Sequence, residues 1–156
     1  MMSFEGFYVV LNAVDGDGMM VVPKNTDELI EIRLYGIDAP EVKKCKKLKL
    51  DEKITRKPGA FLMMLGKMSM KFLIELIPPG TEIEVRQESK NRIDVYGRKL
   101  AYVYLKDGRC VNEELIRNGY AKPYTEIFCE ELHHYQNLSI FAKQGKKGLY
   151  TLTDAF

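Results

Sequence analysis

Two short runs of the sequence between them contain carboxylates and a guanidinium group. The first is Asp15-Gly16-Asp17, and the second is Arg33-Leu34-Tyr35-Gly36-Ile37-Asp38-Ala39-Pro40-Glu41. A further arginine, Arg98, follows a turn at Asp94-Val95-Tyr96-Gly97. Carboxylates bind hard divalent cations, and guanidinium groups bind phosphate oxygens. Because hydrolysis of a phosphodiester needs both, the runs predict a metal-dependent phosphodiesterase that acts on nucleic acid.

The elements that must position these residues are β-strands. Alternating or continuous apolar residues bounded by glycine, proline and asparagine predict five strands, at 7–14, 19–22, 29–34, 81–86 and 99–105. The acidic residues and the arginines fall close to the strand ends. A rigid sheet can hold side chains in a fixed direction there, which suits a site.

Three helices are predicted. Pro58 suits a first helical turn, and apolar residues recur at helical spacing from Phe61 to Leu76 before Pro78-Pro79-Gly80. Two further helices are predicted at 111–118 and 129–144. Together the pattern predicts an α+β, mainly β-barrel fold: a five-stranded Greek-key barrel of the OB-fold type with three helices, in a single domain over residues 1–156.

The segment from 42 to 57 is rich in basic residues and is predicted to be a loop. Its positive charges are Lys43, Lys44, Lys46, Lys47, Lys49, Lys53, Arg56 and Lys57. A charge run of this kind is typical of a solvated, mobile loop. Because it directly follows Glu41, it could also guide a polyanion toward the carboxylates.

Composition sets limits on the other function classes. The chain has 156 residues and a net charge of +2, which is too small by itself to indicate a nucleic-acid partner. No apolar run is long enough to cross a membrane. The three cysteines have no metal-ligand spacing, and His133-His134 is expected to be exposed or packed rather than catalytic. The start has no export signal, but a leader could have been removed, so localisation stays open.

Three ordered motifs resemble the staphylococcal (micrococcal) nuclease, or thermonuclease, family. They are Val14-Asp15-Gly16-Asp17, the run from Arg33 to Glu41, and the run Asp94-Val95-Tyr96-Gly97-Arg98-Lys99-Leu100-Ala101-Tyr102-Val103. The helix at 111–115, Gly119-Tyr120-Ala121 and Gly148-Leu149-Tyr150 are also similar to family segments. The resemblance implies a five-stranded OB barrel and calcium-dependent hydrolysis of DNA and RNA, leaving 3′-phosphate and 5′-hydroxyl ends. Single-stranded nucleic acid is the expected preferred substrate. The protein is expected to be a monomer.

The resemblance also implies a role for each matched position. Asp17 and Asp38 match the calcium-binding carboxylates, and Ala39 matches the residue whose backbone carbonyl is a further ligand. Asp15 matches a carboxylate that acts behind the ligands. Glu41 matches the residue that orients or deprotonates the attacking water. Arg33 and Arg98 match the arginines that bind the phosphate, and Tyr96 and Tyr124 match nucleotide-contacting tyrosines.

Two other interpretations remain open at this point. An OB-fold module that binds single strands or a protein without cleavage is the main alternative, although such relatives typically lose acidic or arginine positions that this chain keeps. A glycosidase that uses a carboxylate pair is a remote alternative, because that chemistry does not need two arginines.

Overall fold

A computed structural model describes residues 2–156, so Met1 of the predicted domain lies outside the described residues. Seven strands are present in this range: β1 (Met2–Asp15), β2 (Gly18–Pro23), β3 (Ile30–Leu34), β4 (Ile37–Asp38), β5 (Glu82–Glu88), β6 (Lys99–Tyr104) and β7 (Lys122–Pro123). Five of them form a closed barrel in the order β1-β2-β3-β6-β5. The β3–β6 pair is parallel, and the other barrel pairs are antiparallel. The predicted five-stranded barrel is therefore confirmed.

The described residues form four α-helices, one more than predicted: α1 (Lys46–Thr55), α2 (Gly59–Leu76), α3 (Val111–Arg117) and α4 (Leu132–Gln144). A short 3-10 helix follows at Gly148–Thr151. The helices predicted at 61–76, 111–118 and 129–144 correspond to α2, α3 and α4. The last of these helices was predicted to begin at residue 129, but α4 begins at Leu132.

The extra helix, α1, lies in the segment predicted to be a basic loop, so that prediction was wrong. The Cys45 sulfur caps its start by accepting the Leu48 N–H, and Arg56 ends it in the left-handed conformation with φ 58°. Leu48 and Asp51 face inward, and Lys47 pairs with Asp51 one turn later. One buried leucine in a run of charges gives little apolar periodicity, which is why the sequence pattern did not indicate a helix.

Two apolar clusters fill the molecule. The larger one lies inside the barrel and against α3, and includes Val10, Met19, Ile32, Leu34 and Val85. The smaller one joins α1, α2 and α4 to the C-terminal segment; its fully buried members include Leu62, Leu65 and Leu149. Within residues 2–156, no helix combines the length and apolar character that a membrane span requires.

Candidate active site at one end of the barrel

The turn between β1 and β2 brings two carboxylates to the barrel end. Asp15 Oδ1 accepts a hydrogen bond from the Asp17 N–H at 3.1 Å, which fixes the turn. Asp17 is buried, and its Oδ2 accepts the Ala39 N–H at 2.8 Å. Gly16 allows this approach, because a Cβ there would lie 2.8 Å from the Ala39 and Ser69 Cβ atoms. The turn is thus held against the segment that carries the second motif.

Arg33 connects the two motifs. Its Nη1 lies 3.2 Å from Asp17 Oδ2, and its Nη2 lies 3.7 Å from Asp38 Oδ1. The same Nη1 donates to the backbone carbonyls of Leu34 and Ile37 at 3.1 and 2.9 Å. Because β3 ends at Leu34, the guanidinium group is fixed by the chain reversal that leads into β4. The structure therefore places Arg33 between both predicted metal-binding carboxylates.

Asp38 is held by a small second sheet. β4 pairs with β7 in antiparallel register, with Asp38 opposite Lys122 and Ile37 opposite Pro123. The Asp38 side chain is 6% exposed. Its Oδ2 lies 3.0 Å from the ammonium group of Lys47 in α1. Both oxygens of this carboxylate thus face cationic side chains.

Glu41 lies just past β4 and packs against α2 through its backbone. A Cβ at Gly66 of α2 would lie 2.6 Å from the carbonyl oxygens of Pro40 and Glu41, so only glycine allows this contact. Burial raises the pKa of Glu41 above its ordinary value, and the nearby Asp17 raises it further, while Lys47 lowers it. Glu41 therefore lies within electrostatic reach of the Asp17, Asp38 and Arg33 cluster.

Arg98 and the two predicted nucleotide-binding tyrosines lie beside this cluster. A pocket of about 410 Å³ is lined by Arg33, Arg98, Tyr96 and Tyr124, together with Asn91 and Asp94. Arg98 Nε donates to Asp94 Oδ2 at 2.7 Å, and the Arg33 guanidinium carbon lies 5.7 Å from the centre of the Tyr124 ring. Tyr96 is 82% exposed. The pocket thus brings together residues from three separate parts of the sequence.

Lys47 and Asp51 are site residues that the sequence reasoning missed. Lys47 Nζ lies 2.7 Å from Asp51 Oδ2 and 3.0 Å from Asp38 Oδ2. Burial lowers the pKa of Lys47, but Asp38 and Asp51 together raise it above its ordinary value, so the ammonium stays charged. The signal in the sequence was a lysine and an aspartate four residues apart, a spacing that puts both on one helix face.

The donor chemistry of the cluster suits a hard cation. Asp15, Asp17, Asp38, Glu41 and Asp51 are opposed by Arg33 and Lys47, so carboxylates are in excess. Burial raises the pKa of Asp17, and the neighbouring Asp15 adds to this, whereas Arg33 opposes it. Oxygen donors of this kind favour calcium or magnesium over zinc. Among residues 2–156, however, no three His, Cys, Asp or Glu side chains already converge as a ligand set.

The remaining polar candidates lie elsewhere. His133 and His134 are exposed on α4, and His134 pairs with Glu113 of α3. Cys45, Cys110 and Cys129 are free thiols, and the last two are buried. The hydrogen bonds and ion pairs described for these residues do not reach the Arg33 cluster.

Comparison with known proteins identifies a family. The family model for staphylococcal nuclease homologues matches residues 31–151. The chain is 32% identical over 157 residues to endonuclease YhcR of Bacillus subtilis, covering 97% of this chain and 12% of that protein. It is 31% identical to the uncharacterized protein MJ1439 of Methanocaldococcus jannaschii, covering 90% of this chain and 70% of that protein. It is 32% identical to the thermonuclease of Staphylococcus intermedius, covering 74% of this chain and 58% of that protein.

The chain thus spans only part of each of these relatives, and a small part of YhcR. The family model nevertheless covers well over half of the chain, including the Arg33–Glu41 and Asp94–Val103 motifs. This chain therefore belongs to the family of staphylococcal nuclease homologues.

Proposed function

We propose that this protein is a calcium-dependent nuclease that hydrolyses phosphodiester bonds of DNA and RNA to 3′-phosphate and 5′-hydroxyl ends. Relatives named endonuclease and thermonuclease support the hydrolase class. The observation that carries the proposal is the position of Arg33, between the Asp17 and Asp38 carboxylates and in the wall of the pocket that also contains Arg98. Fixed positive charge therefore lies beside the oxygens to which we assign metal binding.

Asp17, Asp38 and the backbone carbonyl of Ala39 would hold the metal, with Asp15 behind them. When bound, a calcium ion supplies a charge that neutralises a phosphate oxygen and helps to place the attacking water. The excess of carboxylates over cations at this end of the barrel supports such an ion. Asp15 contributes by fixing the turn that carries Asp17, as its hydrogen bond to the Asp17 N–H indicates.

Glu41 would orient or deprotonate the water, and its raised pKa makes it a better proton acceptor than an ordinary carboxylate. Arg33 and Arg98 would donate hydrogen bonds to the equatorial phosphate oxygens, whose charge grows in the transition state. Arg33 is already anchored by two backbone carbonyls. The orientation of its guanidinium group is therefore fixed before the substrate arrives.

Single-stranded substrates suit the pocket rim. Tyr96, Val95 and Ile93 are 82%, 93% and 65% exposed, and all three line the pocket beside Arg98. Exposed aromatic and apolar groups next to a phosphate-binding arginine favour unpaired bases, which can stack without sequence readout. We propose that the protein acts in this way as a monomer.

A nucleic-acid-binding module that does not cleave is the second candidate. Its support is that Arg33 and Lys47 already pair with the carboxylates assigned to the metal. In a module of this kind the cations would neutralise the carboxylates permanently, and the arginines would serve only for binding.

Cleavage of single-stranded DNA by the wild type and by Glu41→Gln, with calcium and with chelator, separates the two candidates. We expect wild-type cleavage only with calcium, and a large loss in Glu41→Gln with DNA binding retained. A wild-type protein that binds the strand with calcium present and leaves it intact would instead establish the binding module.

A further inference from the structure

Lys47 occupies an unusual position between two buried carboxylates. Its Nζ lies 3.0 Å from Asp38 Oδ2, and 2.9 and 2.7 Å from the two oxygens of Asp51. The Asp38 and Asp51 side chains are 6% and 9% exposed, while the lysine side chain is 33% exposed. The ammonium group thus reaches from the protein surface into a space bounded by acidic oxygens.

Two buried carboxylates without a cation would be costly, because each loses its hydration and the two repel one another. Lys47 removes this cost for both residues in the absence of a metal. Asp38, however, is also the carboxylate to which we assign metal binding. Its second oxygen, Oδ1, faces Arg33 at 3.7 Å. A divalent ion can therefore coordinate the Asp38 carboxylate without competition only if one of the two cationic contacts is weakened.

The two cations differ in how easily they can give way. Arg33 is fixed by the Leu34 and Ile37 carbonyls and by Asp17. Lys47 has a flexible stem, lies closer to solvent, and keeps a second partner, Asp51, on its own helix. Release of Lys47 from Asp38 leaves the ammonium paired, whereas release of Arg33 breaks several bonds. The Lys47–Asp38 pair is therefore the one that can yield.

We propose that Lys47 is a built-in counter-ion of Asp38, which a divalent cation must displace toward Asp51 in order to bind. Lys47 stabilises the metal-free protein and lowers its affinity for divalent cations. Asp51 acts as the alternative partner that keeps the displaced ammonium paired. This inference rests on the proposed metal site at Asp17 and Asp38, and it adds a residue that sets metal affinity.

The test measures calcium binding by isothermal titration calorimetry, without substrate. The variants are Lys47→Met, the double variant Lys47→Met/Asp51→Asn, and Lys46→Met as a control. Lys46 is an exposed lysine on the same helix, so its replacement changes the net charge equally without touching Asp38. The double variant keeps the net charge of the wild type and leaves no unpaired Asp51, so it also protects the fold.

We expect calcium to bind at least about tenfold more tightly to Lys47→Met and to the double variant, because a unit positive charge is removed from contact with a ligand oxygen. Lys46→Met should bind as the wild type does, apart from a small change that disappears at high salt. Without calcium, Lys47→Met should unfold at a lower temperature than the wild type, and calcium should reduce the difference.

Other outcomes overturn the inference in distinguishable ways. If the wild type binds calcium and the double variant binds it no more tightly, Lys47 does not compete with the metal, while the proposed metal site stands. If neither the wild type nor any variant binds calcium, the metal site itself is wrong and the inference falls with it. If Lys46→Met gains as much affinity as Lys47→Met, only overall charge matters.

Discussion

The surroundings of Arg33 and of Arg98 differ in almost every respect. Arg33 has a side chain that is 16% exposed, and it contacts two carboxylates and two backbone carbonyls. Arg98 lies on an exposed turn, where Asp94 accepts from both its Nε and its backbone N–H. The same functional group is thus rigidly embedded on one side of the pocket and tethered by a single residue on the other.

From this difference we infer different roles for the two sides of the pocket. The Arg33 side, with Asp17 and Asp38, is preorganised, so the catalytic role that we propose for it depends on geometry already present in the free protein. The Arg98 side, with Tyr96 on the same exposed turn, has fewer contacts, and we propose that it adjusts to a bound strand. Substitutions should therefore damage the rate most on the Arg33 side, and binding or its salt dependence on the more exposed side.

The largest effect is expected for Arg33→Lys. Lysine cannot form the forked contact and cannot reach both carboxylates and carbonyls, so kcat on single-stranded DNA should fall by about 100- to 1000-fold, nearly as far as in Arg33→Ala. Arg92→Lys, at an arginine paired with Glu5 outside the pocket, is the control. Near-normal cleavage by Arg33→Lys would remove Arg33 from the proposed mechanism.

A smaller loss is expected when the tether of Arg98 is removed. Asp94→Asn keeps the size of the side chain but weakens its bond to the guanidinium group, so cleavage should fall by up to about a hundredfold through misplacement of Arg98.

Asp107→Asn provides the matched control for Asp94→Asn. Asp107 accepts from the backbone N–H and Nε of Arg109 two residues later, on a turn that does not line this pocket. Equal losses of activity in the two variants would show that the Asp94 turn has no special role. Kinetics at saturating DNA would separate the effect on kcat from the effect on KM.

The packing of the Glu41 segment can be tested at Gly66. Replacing a glycine by alanine inside a helix normally stabilises a protein by about 1 kcal/mol. Here the added Cβ would lie 2.6 Å from two backbone carbonyl oxygens, so we expect Gly66→Ala to destabilise by about 1–3 kcal/mol and to reduce cleavage. Thermal unfolding measures this change, with Lys67→Ala at the next, exposed position as the control. A more stable Gly66→Ala protein would contradict the close packing.

The smallest effect is expected for the exposed lysines of and before α1. Replacing Lys43, Lys44, Lys46 and Lys49 by glutamine should leave kcat unchanged but weaken binding of single-stranded DNA. The slope of log affinity against log salt should become shallower by about 0.7 for each phosphate that the protein no longer neutralises. Fluorescence anisotropy at several salt concentrations measures the slope. An unchanged slope would mean that α1 does not bind the strand.

The barrel could be predicted from the sequence because its strands alternate and end at turn residues. α2 could be predicted because apolar residues recur at helical spacing from Phe61 to Leu76. α1 could not, since its stability comes from the Cys45 cap, the Lys47–Asp51 pair and a single buried leucine. These are tertiary and capping effects that a hydrophobic pattern does not record.

The sequence motifs identified most residues of the candidate site, but not the contacts that these residues make with α1 and α2. The sequence placed Asp17, Arg33 and Asp38 at strand ends, and the structure brings them into contact. The pairing of Lys47 with Asp38 was not predictable, because it depends on how α1 packs beside β4. The close packing of Gly66 against Glu41 was missed for the same reason: both contacts join elements whose relative position only the fold defines.

The parallel pairing of β3 with β6 has a consequence for folding kinetics. Arg33 lies opposite Leu100 in this pairing, two residues after Arg98, although α1, α2 and β5 all lie between the two strands in the chain. Such a non-local pair forms only after a long loop has closed, which is slow compared with the formation of a hairpin. During refolding, the phosphate site that we propose at the two arginines should therefore form later than the helical signal of α2.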